Sequence, residues 1–209
     1  MSYDQLPISE STSLTPVDEA VLDLMNQLDP DPGHAMQVMH LSSRLFDDLV
    51  GLHGFGASER RLLCIAALLH DIGWSVPASP HHKASMDLIL NDTTLPLTEE
   101  HRMMISQIAR YHRKAHPSLK HGPFASLSPV QQNVVRWDAA LLRIADALDR
   151  SHRSLVQMIS AKVTSSMIQI HCDTGQGRKS PSDYEMGVIK KKSELLNEIS
   201  GKTTEVKWN

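Results

Sequence analysis

The stretch Leu62–Trp74, LLCIAALLHDIGW, carries eight apolar residues into a His-Asp pair and then meets Gly73. Charged Glu59, Arg60 and Arg61 precede it, so the reading is a buried helix from Ser58 to Asp71. A helix apolar on nearly every side needs other helices around it. The glycine lets the backbone leave sharply, which puts the imidazole and the carboxylate beyond the last turn.

On either side of this run, helix signals dominate. Thr15 before Pro16, with Asp18 close behind, opens a helix to Leu28 that DPDPG stops. Further helices are expected from about Gly33 to Val50 and from His81 or His82 to Leu90. Thr98 before two glutamates opens one ending near Lys114, and the capping box Ser128-Pro129-Val130-Gln131 opens a long one to about Ser151. After Arg153 the period changes to two: Ile159, Ala161 and Val163 alternate with polar residues, as do Ile168, Ile170 and Cys172. The polar segment DTGQGRKSPSD reads as a loop. Ser182 to Glu185 is another capping box, and its helix should stop near Gly201 before a strand at Val206 to Trp208. The expected fold is mainly α: a helical bundle over residues 1–153, ordered from about 15, with a small mixed α/β appendage over 154–209 packed on it. The appendage is strand, strand, helix, strand.

Composition narrows the function. A chain of 209 residues can bury a full core without disulfides, and Cys64 and Cys172 form no CxxC pair, which fits a reducing cytoplasm. No run is long enough to span a bilayer, and MSYDQLPISESTSL lacks the features of a secretion signal. A net charge of -3 and a pI near 6.4 argue against a specific nucleic-acid partner. Twelve histidines are the compositional oddity.

Three polar residues lie where apolar ones are expected. His34 is in register with Val38, Leu41 and Leu45; His112 follows His101, Ile105 and Ile108; Asp146 stands among Leu142, Ile144, Ala145 and Leu148, with Asp149 one turn away as a competitor. A carboxylate there needs a cation or hydrogen bonds. Imidazole and carboxylate together suit manganese, iron or zinc better than magnesium. Basic residues gather nearby: Lys83, Arg113, Lys114, Arg143 and Arg150, of which Arg113 and Lys114 are the leading phosphate contacts. The remaining histidines, among them His53, His121 and His152, read as surface or loop residues. Trp74 walls a pocket or plugs the helix end.

The order His34, His70-Asp71, Asp146 resembles the HD superfamily of metal-dependent phosphohydrolases. More narrowly, HAMQVMHLSSRLFDDL, AALLHDIGW, HHKASMDLIL, RYHRKAHP and LLRIADALDRSH resemble the C-terminal helical domain of the exopolyphosphatase and guanosine pentaphosphatase family, over roughly residues 15 to 205. That resemblance implies His34, His70, Asp71 and Asp146 as ligands of one divalent ion. It gives His82 and His112 as additional ligands of a second ion, with His81 less favoured than His82. Asp71, His82 and His112 are then the expected catalytic residues. The actin-like half of those larger enzymes has no counterpart here.

The expected activity is hydrolysis of a phosphoester or phosphoanhydride by a metal-activated water, on a nucleotide, polyphosphate or other phosphorylated small molecule. The competing reading is a non-catalytic regulatory or assembly module of the same fold. A homodimer is the expectation for assembly, from the appendage and its strand edge.

Overall fold

The computed structural model describes residues 14–175 and 182–208. The N-terminal stretch expected to be polar, and residues 176–181 of the expected loop, lie outside them. Helix α1, Pro16–Leu28, starts where Thr15 caps it, with the Thr15 hydroxyl accepting from the Asp18 amide and the Asp18 carboxylate accepting from the Thr15 amide. Helices α2, Pro32–Asp48, and α3, Val50–His53, follow; then α4, Ala57–Leu69, and a short 3-10 turn, Ile72–Ser75. The body continues with α5, His81–Asn91, α6, Glu99–Arg110, α7, Gly122–Ala125, and α8, Pro129–Leu148. The capping boxes expected at Thr15 and Ser128 both form.

The run Leu62–Leu69 is the centre of the bundle. Leu62 to Leu69 are all buried, and α4 packs against α1, α2, α6 and α8. Val38, Leu41 and Leu45 of α2 and Leu141, Leu142, Ile144 and Ala145 of α8 complete the core with Ile105 and Ile108 of α6. Each buried leucine or isoleucine contributes roughly 1.5–3 kcal/mol of transfer free energy. Among the described residues no helix is long and apolar enough to cross a membrane.

Strands β1, Met158–Val163, β2, Met167–Asp173, and β3, Thr203–Trp208, form a three-stranded sheet in that order. β1 and β2 are antiparallel, pairing Ile159 with Cys172 and Ala161 with Ile170; β2 and β3 are parallel, pairing Ile170 with Val206. The alternation read from the sequence survives in β2, where Ile168, Ile170 and Cys172 are buried. A parallel pair needs a crossover. Here α9, Asp183–Lys192, and α10, Glu194–Ser200, supply it, and both pack on α8 while β1 packs on α2. The chain is thus a mainly helical bundle followed by a small, open, mixed sheet.

Helix α8 ends at Leu148, short of Ser151, and three further boundaries differ from expectation. The helix expected to end at Asp71 stops at Leu69, because Gly73 sits so tightly on α5 that a Cβ there would overlap the His81 carbonyl and the Ser85 amide. The one expected to end near Lys114 stops at Arg110, and Lys114 takes a left-handed conformation with φ 60°. The single helix expected from Ser182 to Gly201 is two. It breaks at Ser193, whose hydroxyl donates to the Ile189 carbonyl.

Candidate metal centre

Helix ends, not helix faces, build most of the site. His70 is the C-terminal cap of α4 and Asp71 lies just past it; His81 is the first residue of α5; His112 lies two residues beyond α6. His34, in the first turn of α2, and Asp146, in the last turn of α8, face them from inside helices. The result is two clusters of three that can hold a metal ion: His34, His70 and Asp146, and Asp71, His81 and His112. Within each, the ligand atoms lie within 4.8 Å of one another.

The separations suit a shared ion better than hydrogen bonds. His34 Nε2 is 3.7 Å from Asp146 Oδ1, His70 Nε2 is 3.6 Å from Asp71 Oδ2, and Asp71 Oδ1 is 3.4 Å from His81 Nε2 and 3.7 Å from His112 Nε2. Atoms about 2.0–2.2 Å from one ion stand roughly 3–3.6 Å apart. The His34 Nε2, His70 Nε2 and Asp71 Oδ1 atoms are buried without hydrogen-bond partners, as is Asp29 Oδ2 beside them. Orphaned donor atoms pointing at one another cost stability unless a cation meets them.

The far sides of the rings fix which nitrogen is available. His70 Nδ1 donates to the Ala67 carbonyl and His112 Nδ1 to the Ala109 carbonyl, both at 2.7 Å, and a carbonyl can only accept. In the neutral ring each Nε2 therefore carries the lone pair. His34 Nδ1 donates to Asp149 Oδ2 at 2.9 Å, so Asp149 orients the ligand while Asp146 faces its other side. The Ser85 hydroxyl donates to the His70 carbonyl and accepts from the Gly73 amide, clamping the turn that presents His70 and Asp71.

Charge follows the same geometry. Burial opposes a charged His34, but Asp146 and Asp149 on either side outweigh it and push its pKa up to about 10. Without a cation, a proton takes the place between those carboxylates. Asp146, despite burial, is held well below the usual carboxylate range by Lys192 and the histidines. Burial, with His70 beside it, keeps His112 well below the ordinary histidine value, hence neutral.

The expected site residues divide into three groups. The structure brings together His34, His70, Asp71, Asp146 and His112. It puts His81 in the place expected for His82: Pro80 sets the start of α5 so that the His81 ring stacks on His112 and Trp74, while His82 turns aside among Arg110, Arg113 and Lys83, where burial and those cations depress its pKa to about 4. Of the basic residues, Arg113 and Lys114 line the cleft of about 1040 Å³ over the clusters. Arg113 donates to His81 Nε2 at 2.9 Å. Arg143 also borders the cleft, but its guanidinium is spent on the Tyr111 and Lys114 carbonyls, so it braces the turn carrying His112. Arg150 is exposed and lies over the Tyr184 ring, whose hydroxyl accepts from it. Lys83 points outward and is not among the cleft residues.

Several residues of the site escape sequence reasoning. His152 stacks on His34 at 3.9 Å between ring centroids and donates to Asp31, although it reads as a surface histidine. Asp29 lies in the segment read only as a helix stop. Lys192 ion-pairs with Asp146 at 2.6 Å from the appendage, and nothing in its sequence neighbourhood signals that.

Residues 18–177 match the family model described as Ppx/GppA phosphatase, domain III. No curated protein matches the chain. With well over half of its residues matched, the chain belongs to that family.

Proposed function

We propose that this Ppx/GppA domain III is itself a metal-dependent phosphohydrolase acting on a phosphorylated small molecule, a nucleotide or a polyphosphate. The observation that carries the proposal is the pair of triads meeting at Asp71, whose two oxygens face His70 on one side and His81 and His112 on the other. On this reading His34, His70, Asp71 and Asp146 hold one divalent cation, and Asp71, His81 and His112 hold a second. Nitrogen-rich sets of this kind favour manganese, iron or zinc over magnesium. Such cations, when bound, supply positive charge against a phosphoryl group and acidify water near neutral pH.

The chain's own residues do the rest. Arg113 and Lys114, at the cleft wall, present donors to phosphate oxygens; a guanidinium suits two of them at once. His112 is buried and held by the Ala109 carbonyl, so its Nε2 is aimed at the cleft in a fixed orientation. Residues 1–153 are then the metal-bearing body, and 154–209 an appendage whose α9 closes one wall. Both triads are complete within one chain, so the proposal requires no homodimer. A reducing cytoplasm fits the two buried cysteines, Cys64 and Cys172.

The alternative, a regulatory module without turnover, draws on one observation. Lys192 already satisfies one oxygen of Asp146 without an ion. Elemental analysis of untagged protein separates the two. One or two equivalents of manganese, iron or zinc, lost together in Asp71→Ala, with pyrophosphate or nucleotide hydrolysis lost in the same variant, are expected. No metal after anaerobic repletion would sink the hydrolase and leave the module.

A further inference from the structure

Lys192 reaches the site from outside the helical body. It is the last residue of α9, just before the break at Ser193, and its side chain is only 15% exposed. Its Nζ donates to Asp146 Oδ2 at 2.6 Å and to the His112 carbonyl at 2.7 Å. Asp146 belongs to one triad and His112 to the other. One ammonium therefore ties the two halves of the site together.

An ammonium carries three N–H donors, and the described residues account for two of them. Lys192 borders the same cleft as Asp71, His81, Arg113 and Lys114. Three arginines around that cleft are differently engaged. Arg143 serves backbone carbonyls, Arg113 is turned to His81, and Arg150 lies over Tyr184. Only Lys192, among the described residues, is a cation bonded to a residue of each triad.

We propose that Lys192 is a substrate-binding residue, whose remaining donor takes a phosphoryl oxygen seated between the two triads, so that α9 is part of the site and not merely a support for it. The inference deepens the phosphohydrolase reading and rests on it. Its physical basis is charge. A phosphate entering a cleft with Asp29, Asp71 and Asp146 in its wall needs a cation already fixed beside it, and Lys192 is fixed by two short hydrogen bonds.

The test uses the full chain, Mn²⁺ and inorganic phosphate, read by calorimetry, with Lys192→Met, Lys192→Gln and Lys192→Arg. Lys192→Gln keeps donors for Asp146 and the His112 carbonyl and guards against a Met variant that does not fold. The expected result is Mn²⁺ stoichiometry equal to wild type in all three. Phosphate affinity should be roughly tenfold to a hundredfold weaker in Lys192→Met and Lys192→Gln, and near wild type in Lys192→Arg. Wild-type phosphate affinity in the Met and Gln variants would overturn the inference. So would loss of Mn²⁺ from them, which would make Lys192 a positioning residue for Asp146 alone. A wild type that binds no Mn²⁺ overturns the metal reading separately, whereas phosphate binding that still depends on Lys192 in that protein would leave this inference standing.

Discussion

The two triads share a wall and differ in how they are built. His34, His70 and Asp146 sit in or at the ends of three long helices that pack on one another, and the ring nitrogens facing the gap are buried and unengaged. Asp71, His81 and His112 sit at the first residue of a helix or just past the end of one. There the lone pair of His81 is taken by Arg113. The first triad has only the His34 proton to exchange for a cation, and the second must exchange a guanidinium for one. Pre-organisation of this kind sets affinity, so two ions should bind with unequal strength.

The largest expected effect follows directly. His34→Ala should weaken the tighter manganese equivalent at least about a hundredfold, while His81→Ala should remove the weaker equivalent and leave the tighter one within about tenfold. Calorimetric titration with elemental analysis at each endpoint reads both numbers. Equal losses in the two variants would mean one site and not two.

That comparison also explains what could be read in the sequence. The first triad was legible because His34 and Asp146 interrupt apolar stripes at helical spacing, and because His70 ends an unmistakable buried helix. The second was legible only in part. The spacing places His112 on a helical stripe, yet it reaches the site through the turn after Arg110, braced by Arg143 and by a left-handed Lys114. Choosing between His81 and His82 requires the register of α5, which Pro80 and the contact with Gly73 set without any side-chain cap. Lys192 was invisible, since its role exists only once the appendage folds back on α8, and so was His152, whose role exists only once the turn after α8 meets the start of α2.

A middle-sized effect separates the triads by pH. His34 has its pKa raised from 6.5 to about 10 in the metal-free chain, so it contributes stability that is complete below 6.5 and lost as pH rises through about 10. His112, whose pKa is depressed, contributes nothing of that sign. Metal-free protein in chelator should therefore melt at progressively lower temperature from pH 7 to pH 10. Asp149→Asn, which removes one of the carboxylates holding the His34 proton, should flatten that slope, and His112→Gln should leave it unchanged. An unaltered slope in Asp149→Asn would break the assignment of the alkaline loss to His34.

The smallest effect is expected at His82, and its smallness is informative. The residue is as buried as its neighbour His81, and both rings approach His112, with centroids 6.3 Å and 5.4 Å away. Proximity to His112 alone does not distinguish them; direction does. His81 Nε2 faces the Asp71 carboxylate at 3.4 Å, whereas His82 belongs to neither triad and, with its pKa near 4, is neutral at pH 7. His82→Ala should then change affinity for either manganese equivalent by less than about threefold. Its cost should be confined to packing, on the order of 1–2 kcal/mol in a denaturant melt. If His82→Ala instead removed the second equivalent and His81→Ala did not, α5 would have to be turned by one residue in the metal-loaded protein. The contact between Gly73 and the His81 carbonyl forbids that without moving the turn that carries His70 and Asp71.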